Sequence, residues 1–192
     1  MLRSYSLAVT CSLGLALGFG SMASGAAAEA PPPPCEEDPG FHELDFWLGE
    51  WRVLVGEQEV GTDSIESILA GCAVQERWTS ARGQRGESLF YYQPVTKVWK
   101  QIWVTDGARG RGGVKEKTLV EKLADGSLRF QGTIPLAGGG TYLDRTTLTP
   151  LADGRVHQRI EVSGDGVAWR TVFDAIYVRA DGTAAGVGAA AR

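Results

Sequence analysis

Cys72-Ala73-Val74-Gln75-Glu76-Arg77-Trp78-Thr79 sorts itself by twos: Cys72, Val74, Glu76 and Trp78 fall on one side, Ala73, Gln75, Arg77 and Thr79 on the other. A period of two belongs to an extended strand, whose successive side chains face opposite ways. The same signal runs outward in both directions. Upstream it marks Trp51–Val55 and Thr62–Leu69; downstream, Glu87–Gln93, Val98–Thr105, Lys117–Leu123, Leu128–Thr133, Thr141–Thr149, Arg155–Val162 and Val167–Val178. The connectors are turn motifs: Gln93-Pro94-Val95-Thr96-Lys97, Asp125-Gly126, Asp153-Gly154 and Ser163-Gly164-Asp165-Gly166. In each Asp-Gly pair the glycine supplies the positive φ of a tight hairpin at little steric cost.

Phe41–Leu48 is the one short helix expected, with Phe41, Leu44 and Leu48 spaced for one face. With no run of amphipathic helices to cover a flat sheet, the sheet must cover itself. Sequential hairpins favour an all-β, antiparallel up-and-down β-barrel of about 8–10 strands with one short N-terminal helix, a closed form that leaves no exposed edges. A barrel of that size has room for side chains plus one small ligand.

The first 28 residues read as a signal peptide: Arg3 as the positive region, Leu7–Phe19 as the apolar region, and Ala26-Ala27-Ala28 as the cleavage pattern before Glu29. Thr10 before Cys11, and the few apolar residues ahead of it, argue against lipidation there. The product is expected to be periplasmic or secreted. Residues 29–38 form a Pro-rich linker containing Pro31–Pro34, residues 39–179 the barrel domain, and residues 180–192 a disordered Ala/Gly tail. Cleavage leaves Cys35 and Cys72. An even pair in an oxidising compartment is most simply a disulfide, the alternative being two unrelated thiols, one of them buried. Closing a loop of roughly 37 residues stabilises a fold by about 3 to 4 kcal/mol if unstrained.

Composition excludes several classes. At 43% hydrophobic and 22% charged the chain is an ordinary globule. Its net charge of −4 opposes binding of nucleic acid through phosphate neutralisation and docking on anionic membranes through a basic face. No stretch after the N-terminus is long and apolar enough to span a bilayer. His42 and His157 lack paired ligand spacing for zinc, and no Gly-x-Ser-x-Gly elbow accompanies them. Gly107–Gly113 is basic and Gly-rich, yet no Gly-Lys-Ser/Thr ends it, so it is a hairpin and not a phosphate loop. His157 alternates away from the apolar positions and should face outward, which argues against a haem ligand. No cofactor and no metal are expected.

Phe41-His42-Glu43-Leu44-Asp45-Phe46-Trp47-Leu48-Gly49-Glu50-Trp51 resembles the opening of a DUF1579-related family of secreted bacterial proteins of unknown function. The resemblance continues through Gly71–Trp78, Trp99–Val104, Thr149–Gln158 and Phe173-Asp174, and so covers essentially the whole barrel domain. It implies a lipocalin-like, calycin-type barrel and no particular reaction. Gly49-Glu50-Trp51 is also similar to the first-strand signature of lipocalins, in which the Trp packs across one barrel end. Members often carry an Asp straight after the Trp-Val pair; here Thr105 comes before Asp106.

Alternation also says which side chains share a wall. Trp99, Gln101, Trp103 and Thr105 project together, as do Ser88, Phe90 and Tyr92. Glu76 shares a face with Val74 and Trp78, and Gln158 with Val156, Ile160 and Val162. Three otherwise apolar faces thus each carry one polar group, Glu76, Gln101 or Gln158, as the wall of a ligand pocket would. The expected ligand-binding set is Glu76, Trp78, Ser88, Tyr92, Trp99, Gln101, Trp103 and Gln158, around a small, largely apolar molecule. Three readings stay open: a binding protein, an enzyme of isomerase or cyclase type with Glu76 as general acid or base, and a filled barrel acting as an interaction module. Glu76 itself is either a ligand-directed group or a member of a satisfied core network, with Arg145 a possible partner.

Overall fold

The computed structural model describes residues 34–107 and 113–181. Residues 1–28, expected to be a signal peptide, residues 29–33 of the expected linker, residues 108–112 of the Gly-rich stretch and residues 182–192 of the expected tail lie outside the described residues.

Ten antiparallel strands form a closed up-and-down barrel: β1 (Gly49–Val55), β2 (Gln58–Ile68), β3 (Ala73–Ser80), β4 (Arg85–Gln93), β5 (Val98–Thr105), β6 (Val114–Lys122), β7 (Leu128–Pro135), β8 (Thr141–Pro150), β9 (Val156–Ser163) and β10 (Arg170–Arg179). Each strand pairs with its sequence neighbours, and β1 closes the ring on β10 with Trp51 opposite Arg179 and Val53 opposite Tyr177. The alternation read from Val98–Thr105 coincides with β5 residue for residue. The last strand starts later than expected, because Val167 and Ala168 are held in the loop by the Asp165 carboxylate, which accepts from both backbone N–H groups.

The N-terminal helix expected over Phe41–Leu48 is replaced by two 3-10 turns, Pro39–His42 and Asp45–Trp47. The Asp38 carboxylate caps the first by accepting from Gly40 N at 2.8 Å. The buried residues Phe41, Leu44 and Trp47 recur every third position, the period of a 3-10 helix rather than of an α-helix. Ahead of them Pro34–Glu37 makes one α-helical turn, where only linker was expected; it carries the buried Cys35.

These turns plug one end of the barrel. Trp47 packs edge-on against Phe90 and Tyr177, Phe41 against Tyr92, and Trp99 Nε1 donates to Gly40 O at 2.8 Å. Trp51 donates from Nε1 to Trp47 O at 2.8 Å and lies under the Arg179 guanidinium, 4.0 Å from its ring centre. Arg179 Nη1 in turn donates to Leu48 O. A disulfide joins Cys35 to Cys72, with Cα atoms 5.0 Å apart, and ties the plug to the β2–β3 hairpin.

Candidate functional site

Beyond the plug the interior opens into a cavity of about 330 Å³ lined by Glu76, Trp78, Gln101, Trp103, Lys115, Lys117, Thr146, Gln158, Ile160, Val172, Phe173 and Tyr177. The far end is its mouth, where Val172 is exposed. Two glycines shape the wall there. A Cβ on Gly86 would overlap the Trp103 ring, and one on Gly61 the Trp78 ring, so each indole lies against bare backbone instead of filling the lumen. Trp78 also meets Phe173 edge-on at 6.3 Å.

Between the aromatic mouth and the plug lies a polar belt. Glu76 is 4% exposed and accepts a hydrogen bond from Ser88 Oγ; Ser88 Oγ accepts from Gln101 Nε2 at 3.0 Å. The Asp63 carboxyl, 1% exposed, faces Glu76 and the Tyr177 hydroxyl. Neither Asp63 oxygen has a donor in good hydrogen-bonding geometry. Tyr177 donates to Gln158 Oε1 at 2.9 Å. Across the lumen Lys117 Nζ lies 2.5 Å from Asp144 Oδ1 and donates to Thr146 Oγ1 at 2.6 Å; Lys115 Nζ reaches Asp144 Oδ2 at 2.7 Å. Two ammonium groups therefore share one carboxylate.

The belt's electrostatics follow from burial. Burial raises Glu76 to about 7, against the opposing pull of the Ser88 hydroxyl, Asp63 and Lys117. Burial and then the neighbouring Glu76 lift Asp63 well above the usual carboxylate range. Two carboxyl groups pressed together away from water cannot both ionise, so the pair holds a proton near neutrality. Burial lowers Lys117, offset by Asp144. Burial pushes Asp144 up, but Lys117 and Lys115 together bring it below its ordinary value. Tyr177 is driven well up by burial and then by the two acids.

No family model and no curated protein matches this sequence.

Of the side chains expected to bind a ligand, Glu76, Trp78, Gln101, Trp103 and Gln158 are brought together in the cavity wall. Ser88 stands just behind, bonded to both Glu76 and Gln101. Tyr92 and Trp99 are not brought to this cavity: both lie at the plugged end, their rings 5.7 Å apart. Alternation assigns a face but no depth, and their depth is taken by Gly40 and Phe41. Arg145 does not reach Glu76; it pairs with Glu161 at 2.8 Å and stacks on Trp169. His157 bonds Asp174 on the outer side. Sequence reasoning missed Asp63, Lys115, Lys117, Asp144, Thr146 and Tyr177. The signal was present for Lys117, two residues from Leu119, and for Asp144 and Thr146, in step with Leu148; a charge on a strand points by default to solvent, which masks such positions.

Proposed function

We propose that this is an exported barrel that binds one small molecule in the cavity, with an apolar body against Trp78, Trp103 and Phe173 and a polar end at the belt. The observation that carries this reading is the cavity itself: aromatic rings held back against Gly61 and Gly86 leave a lumen whose deeper wall offers directed polar groups. The ligand is more polar at one end than the largely apolar molecule expected from the strands alone, because Lys115 and Lys117 join the lining. Export rests on the N-terminal sequence, and the Cys35–Cys72 bridge is consistent with an oxidising compartment. The resemblance to secreted DUF1579-related proteins belongs to the same proposal. A lumen that is open, rather than filled, speaks against a pure interaction module.

A second reading is favoured by one specific group. Glu76, held near 7 in the cavity wall, has the proton affinity a general acid or base needs, so an isomerase or cyclase acting on the bound molecule is the alternative. Native mass spectrometry of protein purified from its host should reveal a co-purifying molecule. N-phenyl-1-naphthylamine should bind, quench Trp emission and lose affinity in Trp103→Ala; saturable binding unchanged by that substitution would remove the cavity from the reading. Conversion of the co-purified molecule by the wild type, abolished in Glu76→Gln, would favour the enzyme.

A further inference from the structure

Gln101, Ser88 and Glu76 form a one-way chain. The Gln101 amide donates to Ser88 Oγ at 3.0 Å, and the Ser88 hydroxyl donates to Glu76 Oε2, so the run ends on a carboxyl oxygen that accepts. That direction leaves Gln101 Oε1 buried in the wall with no protein partner, although the side chain is only 6% exposed. A proton on Glu76 Oε2 reverses both links. The acid O–H then donates to Ser88 Oγ, the Ser88 hydroxyl needs an acceptor, and the Gln101 amide turns over to offer Oε1. Its NH2 group is left for the cavity.

We propose that Glu76, Ser88 and Gln101 act as a polarity relay that sets the ligand class of the cavity: when Glu76 carries the proton, Gln101 joins Lys115 and Lys117 in holding the anionic head of a small amphiphile. This rests on the ligand-binding reading above. Three observations converge on the anion. Lys115 and Lys117 both line the lumen and, among the described residues, share the one carboxylate of Asp144, so this inward cluster carries one positive charge in excess. The turned-over amide adds a neutral donor beside them, because Gln101 stands directly opposite Lys117 in the β5–β6 register. The same proton removes the charge that would repel an anion. The charged and titratable groups around Glu76 are Asp63 on β2, Lys117 on β6 and Tyr177 on β10, and of these only Asp63 shares its proton. Burial holds Glu76 near 7, so anion affinity rises as the pH falls through that value.

The test compares 1-anilinonaphthalene-8-sulfonate with N-phenyl-1-naphthylamine, which share a ring system but differ in the sulfonate, a head that stays ionised throughout. From about pH 8.5 to about pH 5.5 the anionic probe should tighten by about tenfold or more, while the neutral probe shifts by less than about twofold. Lys117→Met should weaken the anionic probe alone. Glu76→Gln, a fixed neutral group, should bind it tightly at both pH values. Ser88→Ala should reduce the pH slope to the part that loss of the Glu76 charge alone produces, since it cuts the relay and leaves both lysines and Glu76 in place. A wild-type slope retained in Ser88→Ala overturns the relay, and equal pH response of both probes overturns the anion preference. Failure of both probes to bind overturns the ligand-binding reading, and this proposal with it. A second measurement needs neither variant nor ligand: the Gln101 side-chain amide resonances should titrate near pH 7 in the wild type, and their constancy across that range would overturn the relay.

Discussion

Burying Glu76 beside Asp63 makes folding and proton binding one equilibrium. The folded-state value for Glu76 is about 7, above that of an unfolded glutamate near about 4.4, so the folded state binds more protons between the two. Its contribution to stability is fully present below the unfolded value and is lost as the pH rises through about 7, and Asp63 acts in the same direction. For Glu76 alone the loss should be about 3 kcal/mol between about pH 4.5 and pH 8, and Asp63 adds to it. Asp144 is shifted the other way by its lysines, and its contribution disappears as the pH falls through its folded value. Stability should therefore peak in mildly acid solution. Urea unfolding at about pH 5 and pH 8 checks this, and Glu76→Gln should flatten the alkaline limb. Truncation of two tryptophans separates wall from core. Trp51→Ala removes a fully buried ring and should cost about 3 to 5 kcal/mol. Trp103→Ala removes a half-buried ring facing the lumen and should cost well under half as much by the same measurement.

Plug and strands differ in how much of them could be read beforehand. Strand β5 was legible because two tryptophans mark its inner side and Lys100 its outer one, so side-chain character and face coincide at those positions. That coincidence fails on β6 and β8, where Lys117 and Asp144 point inward and neutralise each other. Only the register across the barrel brings them together, and no single strand contains it. The plug was half legible: its apolar residues were identified, but the choice between α and 3-10 rests on whether Trp47 or Leu48 completes the stripe. Cys35–Cys72 anchors that plug to the β2–β3 hairpin. Cys35→Ser should lower stability by about 3 kcal/mol. Amide exchange over residues 39–47 should accelerate before that of the strands, and uniform acceleration would show that the plug is held without the bridge.

Closure governs the behaviour of the whole molecule. The seam between β1 and β10 joins residues more than 120 positions apart, Trp51 to Arg179 and Leu54 to Ile176 among them. Contacts of such sequence separation require loop closure before they return any stability, so folding should be slow for the chain's size, on the order of milliseconds to seconds. A ring has no weak edge from which to fray. Native-state hydrogen exchange should accordingly give β1 and β10 the same opening free energy as β4 and β5. A markedly lower value along the seam would mean that the barrel opens there while the rest stays folded.

The plug also makes the cavity a dead end. Glu76, Gln101, Lys117 and Gln158 lie deep, while Trp78, Trp103 and Phe173 stand nearer the mouth formed among the described residues. On the proposed ligand-binding function, a guest would enter head first and leave tail first, and whatever did not fit inside would trail into solvent past Val172. The pocket would then inspect one end of a molecule and be indifferent to the length of the other. Among homologous guests, dwell time should level off once the chain outgrows the lumen.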